Sequence, residues 1–129
     1  MSLAAAHTML DMAMLVKSDI EFRLMILTAR QQALLARSNE IADNKITRMQ
    51  QYISHHIRDD DVTYEAILYK DPQFLEFDRD LAFINAQDKA MTLEKQSLEV
   101  RHKAMTQIVE NSQKAVDNNL KAFKGGLGT

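Results

Sequence analysis

The dominant constraint on this chain is a stretch of about fifty residues, Pro72 to Phe123, with a proline at its first position and no glycine before Gly125. Within it Phe77, Ile84, Met91, Leu98 and Met105 recur every seven residues, and Phe74, Leu81, Val109, Val116 and Phe123 fill companion positions at three-four spacing. That spacing predicts a long helix with an apolar seam, and such a seam is stable only against a second helix. The far side of the same helix is not uniformly polar. Ala86, Leu93 and Val100 each follow a seam residue by two positions, roughly 200° around the axis, and Ala90 and Ala104 stand beside them. One partner helix covers the first face and leaves the second open.

The N-terminal part supplies a partner. Residues 3 to 35 are rich in strong helix formers, and their apolar positions cover more than one stripe, as in helices buried by several neighbours. Four methionines fall within Met9 to Met25; the unbranched thioether suits adaptable packing surfaces. Beyond residue 36 the pattern narrows to Ile41, Ala42, Ile46, Met49, Ile53 and Ile57, a single stripe on a continuing helix. Arg23, Arg30 and Arg37, also seven apart, line one face, as expected of a solvated flank at a seam edge rather than a strip for an anionic partner.

Residues 58 to 71 break the periodicity. Asp59, Asp60 and Asp61 repel one another and compete for backbone hydrogen bonds, which ends the first helix near His56 to Asp59. Val62 to Tyr69 reads equally as a short helix or an extended segment. Asp71-Pro72 restarts the helix, with Asp as cap and Pro at the first helical position. Gly125 and Gly126 are expected to stop it, with Lys121 and Lys124 placed against the negative end of its dipole. The expected fold is all-α: one domain over 1–129, an antiparallel, coiled-coil-like hairpin with arms of about 3–57 and 72–124 and an acidic connection at 58–71. Each arm would measure roughly 75 Å if straight.

Composition agrees with long helices. Three Gly and one Pro in 129 residues offer few turns, and 6% aromatic residues without Trp are too few for a compact globular core. A net charge of -2 gives no basic footprint for nucleic acid. Charge is unevenly placed: residues 59 to 80 carry two Lys/Arg against eight Asp/Glu, whereas the flanking segments are each slightly basic. The absence of cysteine excludes disulfides and thiol chemistry. The N-terminal apolar runs are interrupted by Asp11, Lys17, Asp19 and Glu21, so neither a cleaved leader nor a membrane span is expected.

No catalytic motif is present, and enzymatic activity is not expected. His55 and Asp59 could share one helix face at i and i+4, but a polar helix end explains the same residues without a metal. His102 continues a polar series with Asp88 and Lys95 inside the heptads, suited to fixing register. No cofactor is expected.

Two long arms, an Ala/Met-rich start (AAAHTMLDMAML), a second arm running toward the chain end (NSQKAVDNNLKAF), no leader and no cysteine together resemble the helical axial proteins of type III secretion and flagellar systems, the needle, filament and flagellin-core subunits. The resemblance is architectural and spans most of the chain. It implies a helical filament or tube built from copies of the chain, leaderless export to the cell surface or exterior, and a secretion apparatus or chaperone as a further partner. The other reading is a cytoplasmic coiled-coil adaptor or prefoldin-like holdase subunit. Under the first, the hairpin seam is Phe77, Ile84, Met91, Leu98, Met105, Val109 and Val116, and the assembly interface is Met9, Met12, Leu15, Ile20, Leu24, Leu93 and Val100.

Overall fold

The computed structural model describes residues 2–56 and 71–127, so the acidic connection, with Asp59 to Asp61 and Val62 to Tyr69, lies outside the described residues. Among the described residues there are two helices, α1 (Leu3–His56) and α2 (Pro72–Leu127), packed against each other as an all-α hairpin. Among the described residues there is no strand. No described helix is long and apolar enough to cross a membrane.

Both helices start on a capping side chain. Ser2 Oγ accepts the Ala5 amide at 3.1 Å and the Ser2 carbonyl accepts that of Ala6 at 2.9 Å, which satisfies two amides that have no partner inside the helix. Asp71 does the same for α2, its Oδ1 accepting the Gln73 amide at 3.0 Å, while Pro72 fills the position that needs no donor. The other end of α2 departs from expectation. The helix runs through Gly125 and Gly126 to Leu127, with no positive-φ glycine among the described residues and nothing packed within 4 Å of a Cβ at Gly125. A glycine terminates a helix by adopting the left-handed conformation; where it stays right-handed it merely weakens the helix, by about 1 kcal/mol relative to alanine.

Cα packing divides the chain into two compact units, Met1–Leu27 with Leu93–Thr129, and Thr28–Thr92. In the first unit Ala6, Leu10 and Val116 form a buried cluster with Leu3, Val109, Ala115 and Leu120 packed on it, and Ala13, Ile20, Leu27 and Leu98 are also buried. In the second, Phe74 and Ile84 are buried, and the Phe74 and Phe77 rings meet edge to face with centroids 6.2 Å apart. Fully burying one such side chain stabilises the fold by about 1.5–3 kcal/mol.

The antiparallel register can be read from the polar pairs. Glu21 with His102 in the first unit, and Gln31 with Thr92 and Lys45 with Asp78 in the second, have residue numbers that add up to 123 in every case. The inward side of α1 steps by three and four throughout: Leu3, Ala6, Leu10, Ala13, Lys17, Ile20, Leu24 and Leu27, then Gln31, Leu34, Ser38, Ile41, Lys45, Arg48 and Tyr52. Two residues of the apolar stripe read for this part of α1 therefore do not face α2. Ile46 and Ile53 are exposed, because Lys45 and Arg48 occupy the inward turns, where they reach Asp78 at 2.6 Å and Asp71 at 3.1 Å across the hairpin. Their aliphatic stems cover apolar surface while the charged ends pair at the rim. Phe123 is 62% exposed for a different reason: α1 begins at Leu3, which packs with Leu120 in one cluster, so α2 has outrun its partner.

Candidate assembly surface

Every residue assigned to the hairpin seam lies on the inward side of α2: Ile84, Leu98 and Val116 are buried, and Phe77, Met91, Met105 and Val109 are half-buried. The residues assigned to assembly divide into two groups. Met9, Met12, Leu15, Leu93 and Val100 are exposed, Leu15, Leu93 and Val100 by 67–72%. Ile20 and Leu24 belong instead to the hairpin, Ile20 being only 5% exposed and Leu24 half-buried. Helical phase explains the correction, since both fall on the inward line through Leu10, Ala13 and Leu27, whereas Leu15 lies on the opposite side.

The outward sides of both helices carry apolar lines of their own. On α1 of the first unit Phe22 and Met25 are 60% and 70% exposed, and sequence reasoning had not singled them out. The available signal was the spacing Met12, Leu15, Phe22, Ile26, which repeats the three-four step with Asp19 in the missing place. On α2 the corresponding line is Leu93, Ser97, Val100 and Ala104. In the second unit Ala29, Ala33 and Ala36 are exposed on α1 beside Leu35, and Phe83 with Ala86 and Ala90 on α2; Leu35 and Phe83 are each 62% exposed. Isolated exposed apolar residues are ordinary, but lines of them at helical spacing are the usual mark of a protein-binding face.

The polar contacts between the two helices lie along the seam and its rims. Gln31 donates to Asp88 at 3.2 Å and to Thr92 at 3.0 Å, and His102 Nε2 donates to Glu21 Oε1 at 2.9 Å. The hydrogen bond from His102, aided by the charges of His102 and Lys17 and opposed by desolvation, holds the Glu21 carboxyl below its ordinary value. A carboxylate with a depressed folded-state pKa contributes stability above its unfolded value and loses it as pH falls through the folded one. Glu21→Gln is therefore expected to reduce urea resistance at about pH 5 and to match the parent at about pH 3. An equal deficit at both values would assign the loss to packing rather than to the charge.

The basic, apolar and histidine features that the sequence offers stand apart from one another among the described residues. Arg23, Arg30 and Arg37 are all exposed, and Arg23 is tied to Asp19 at 3.1 Å one turn back. The groove between Ile20, Arg23, Leu98 and Met105 is open and mostly apolar. His55 is exposed, its proposed companion Asp59 lies outside the described residues, and among the described residues no three metal-ligating side chains cluster. No protein-family model, curated protein or solved structure matches the chain.

Proposed function

We propose that this chain is a structural subunit that assembles with copies of itself, as a helical filament or tube of the kind formed by the secretion and flagellar axial proteins its organisation resembles. The observation that carries the reading is the pair of outward apolar lines in the first unit, where Leu15, Phe22, Met25, Leu93 and Val100 are each at least 60% exposed although the hairpin seam is already filled. Covering them removes apolar surface from water at about 25 cal/mol per Å², and a permanent assembly provides that cover continuously. A surface rich in exposed methionine and leucine is consistent with an architectural part. Leaderless export and action at the cell surface come with this reading; a cytoplasmic adaptor or holdase is the alternative.

Sedimentation velocity and negative-stain microscopy of the purified protein test it. Particles far heavier than the 14.8-kDa chain are expected. A monomer at all accessible concentrations would sink the proposal, and a species that grows only when an unfolded client is added would support the holdase instead. Deleting residues 1 to 16 is a poor substitute for this test, because it also removes Leu3, Ala6 and Leu10 from the hairpin's own cluster.

A further inference from the structure

Building on the self-assembly proposed above, we infer that the outer face of α1 in one copy packs antiparallel on the outer face of α2 in the next, a head-to-tail contact that leaves both ends of the row open. In the first unit the two outer lines point away from each other, because each is turned from the same seam. One copy thus presents two unlike patches. Contact between unlike patches does not close after two copies; it continues as a row, a ring or a helix of subunits.

A long helix is the occupant these lines fit. Met12, Leu15, Phe22 and Ile26 on α1, with Asp19 in sequence, and Leu93, Ser97, Val100 and Ala104 on α2 keep the three-four step of a heptad. That period matches a partner helix running alongside for several turns. Side-chain size then favours α1 against α2. Antiparallel layers whose residue numbers add up to 119 set Leu15 on Ala104 and Phe22 on Ser97 in the first unit and Phe83 on Ala36 in the second, large against small, while Leu93 meets Ile26 and Val100 meets Asp19, whose carboxylate is paired with Arg23. One step further, where both lines turn polar, the same ladder sets Glu40 on Arg79; both are exposed, and neither pairs with another described residue. Pairing α1 with a second α1 would instead bring two Asp19 side chains within a turn of each other at the centre of the contact.

Two blocked variants test the geometry. Leu15→Asp with Phe22→Asp closes the α1 patch, and Leu93→Asp with Val100→Asp closes the α2 patch; all four positions are at least 60% exposed, and circular dichroism checks that helicity is kept. Each variant alone should sediment as a monomer, and an equimolar mixture should give a species of twice the monomer mass and no larger. Either variant forming a dimer by itself, or a mixture that stays monomeric while the parent assembles, overturns the head-to-tail contact. A parent that does not assemble overturns the underlying self-assembly reading instead. Should an aspartate pair lower helicity, Leu15→Ser with Phe22→Ser and Leu93→Ser with Val100→Ser take its place. The absence of native cysteine allows a direct check of register: Phe22→Cys mixed with Ser97→Cys should yield a covalent dimer on mild oxidation, and failure to cross-link in an assembled sample refutes the pairing.

Discussion

Leu98→Asp is expected to unfold the hairpin. The leucine is 4% exposed in the first unit, so the substitution removes a buried side chain worth about 2–3 kcal/mol and sets a carboxylate beneath a groove lined by Val16, Ile20, Ala104 and Met105, with Asp19, Arg23 and Arg101 also on its wall. An unpaired charge there costs several kcal/mol more or must be protonated. The sum is a large fraction of the total stability of a typical domain, which is about 5–15 kcal/mol. Val100→Asp, two positions away and 69% exposed, is the matched control and should change monomer stability by no more than about 0.5 kcal/mol. Thermal unfolding followed by circular dichroism separates the two. Equal helix loss in both variants would mean that the inward and outward faces of α2 have been exchanged.

Phe74→Ala should have the next largest effect. Phe74 is 2% exposed and is the largest fully buried side chain among the described residues, with the Phe77 ring at its edge. Truncation leaves a cavity near the start of α2, and such changes typically cost about 3–5 kcal/mol. Phe74→Leu retains most of the volume and should recover more than half of that loss. Urea denaturation measures both; a small effect from alanine would mean that the ring's neighbours collapse into the space.

The seam of α2 was legible in the sequence because large apolar residues recur every seven positions from Phe77 to Met105 without a break, even though Asp88, Lys95 and His102 occupy the companion positions between Leu81 and Val109. That of α1 was harder to phase. Its inward line begins Leu3, Ala6, Leu10, Ala13, and two alanines carry little weight beside Met12, Leu15 and Phe22 on the opposite side. Hydropathy alone therefore could not distinguish Ile20, which faces inward, from Leu15, which faces outward. Further along, Ile46 and Ile53 outrank Lys45 and Arg48 on any hydropathy scale, yet the basic residues face α2. Their partners Asp78 and Asp71 lie 33 and 23 residues away, a distance no local pattern spans. The outer line of α2 was visible as Ala86, Leu93 and Val100; what the sequence could not supply was the extent to which the hairpin leaves it uncovered.

The antiparallel ladder also sets the order in which a growing chain can complete its contacts. Arg48 and Asp71 are 23 residues apart and can meet as soon as α2 begins, whereas Leu3 shares a cluster with Leu120 and stays unpartnered until nearly the whole chain has been made. Closing the longer loop carries the greater entropic cost. At ordinary synthesis rates the inward residues of this first stretch, Leu10, Ile20 and Leu27 among them, wait roughly 5–20 s for their half of α2 to emerge. The inward apolar line of the N-terminal arm is thus made first and covered last.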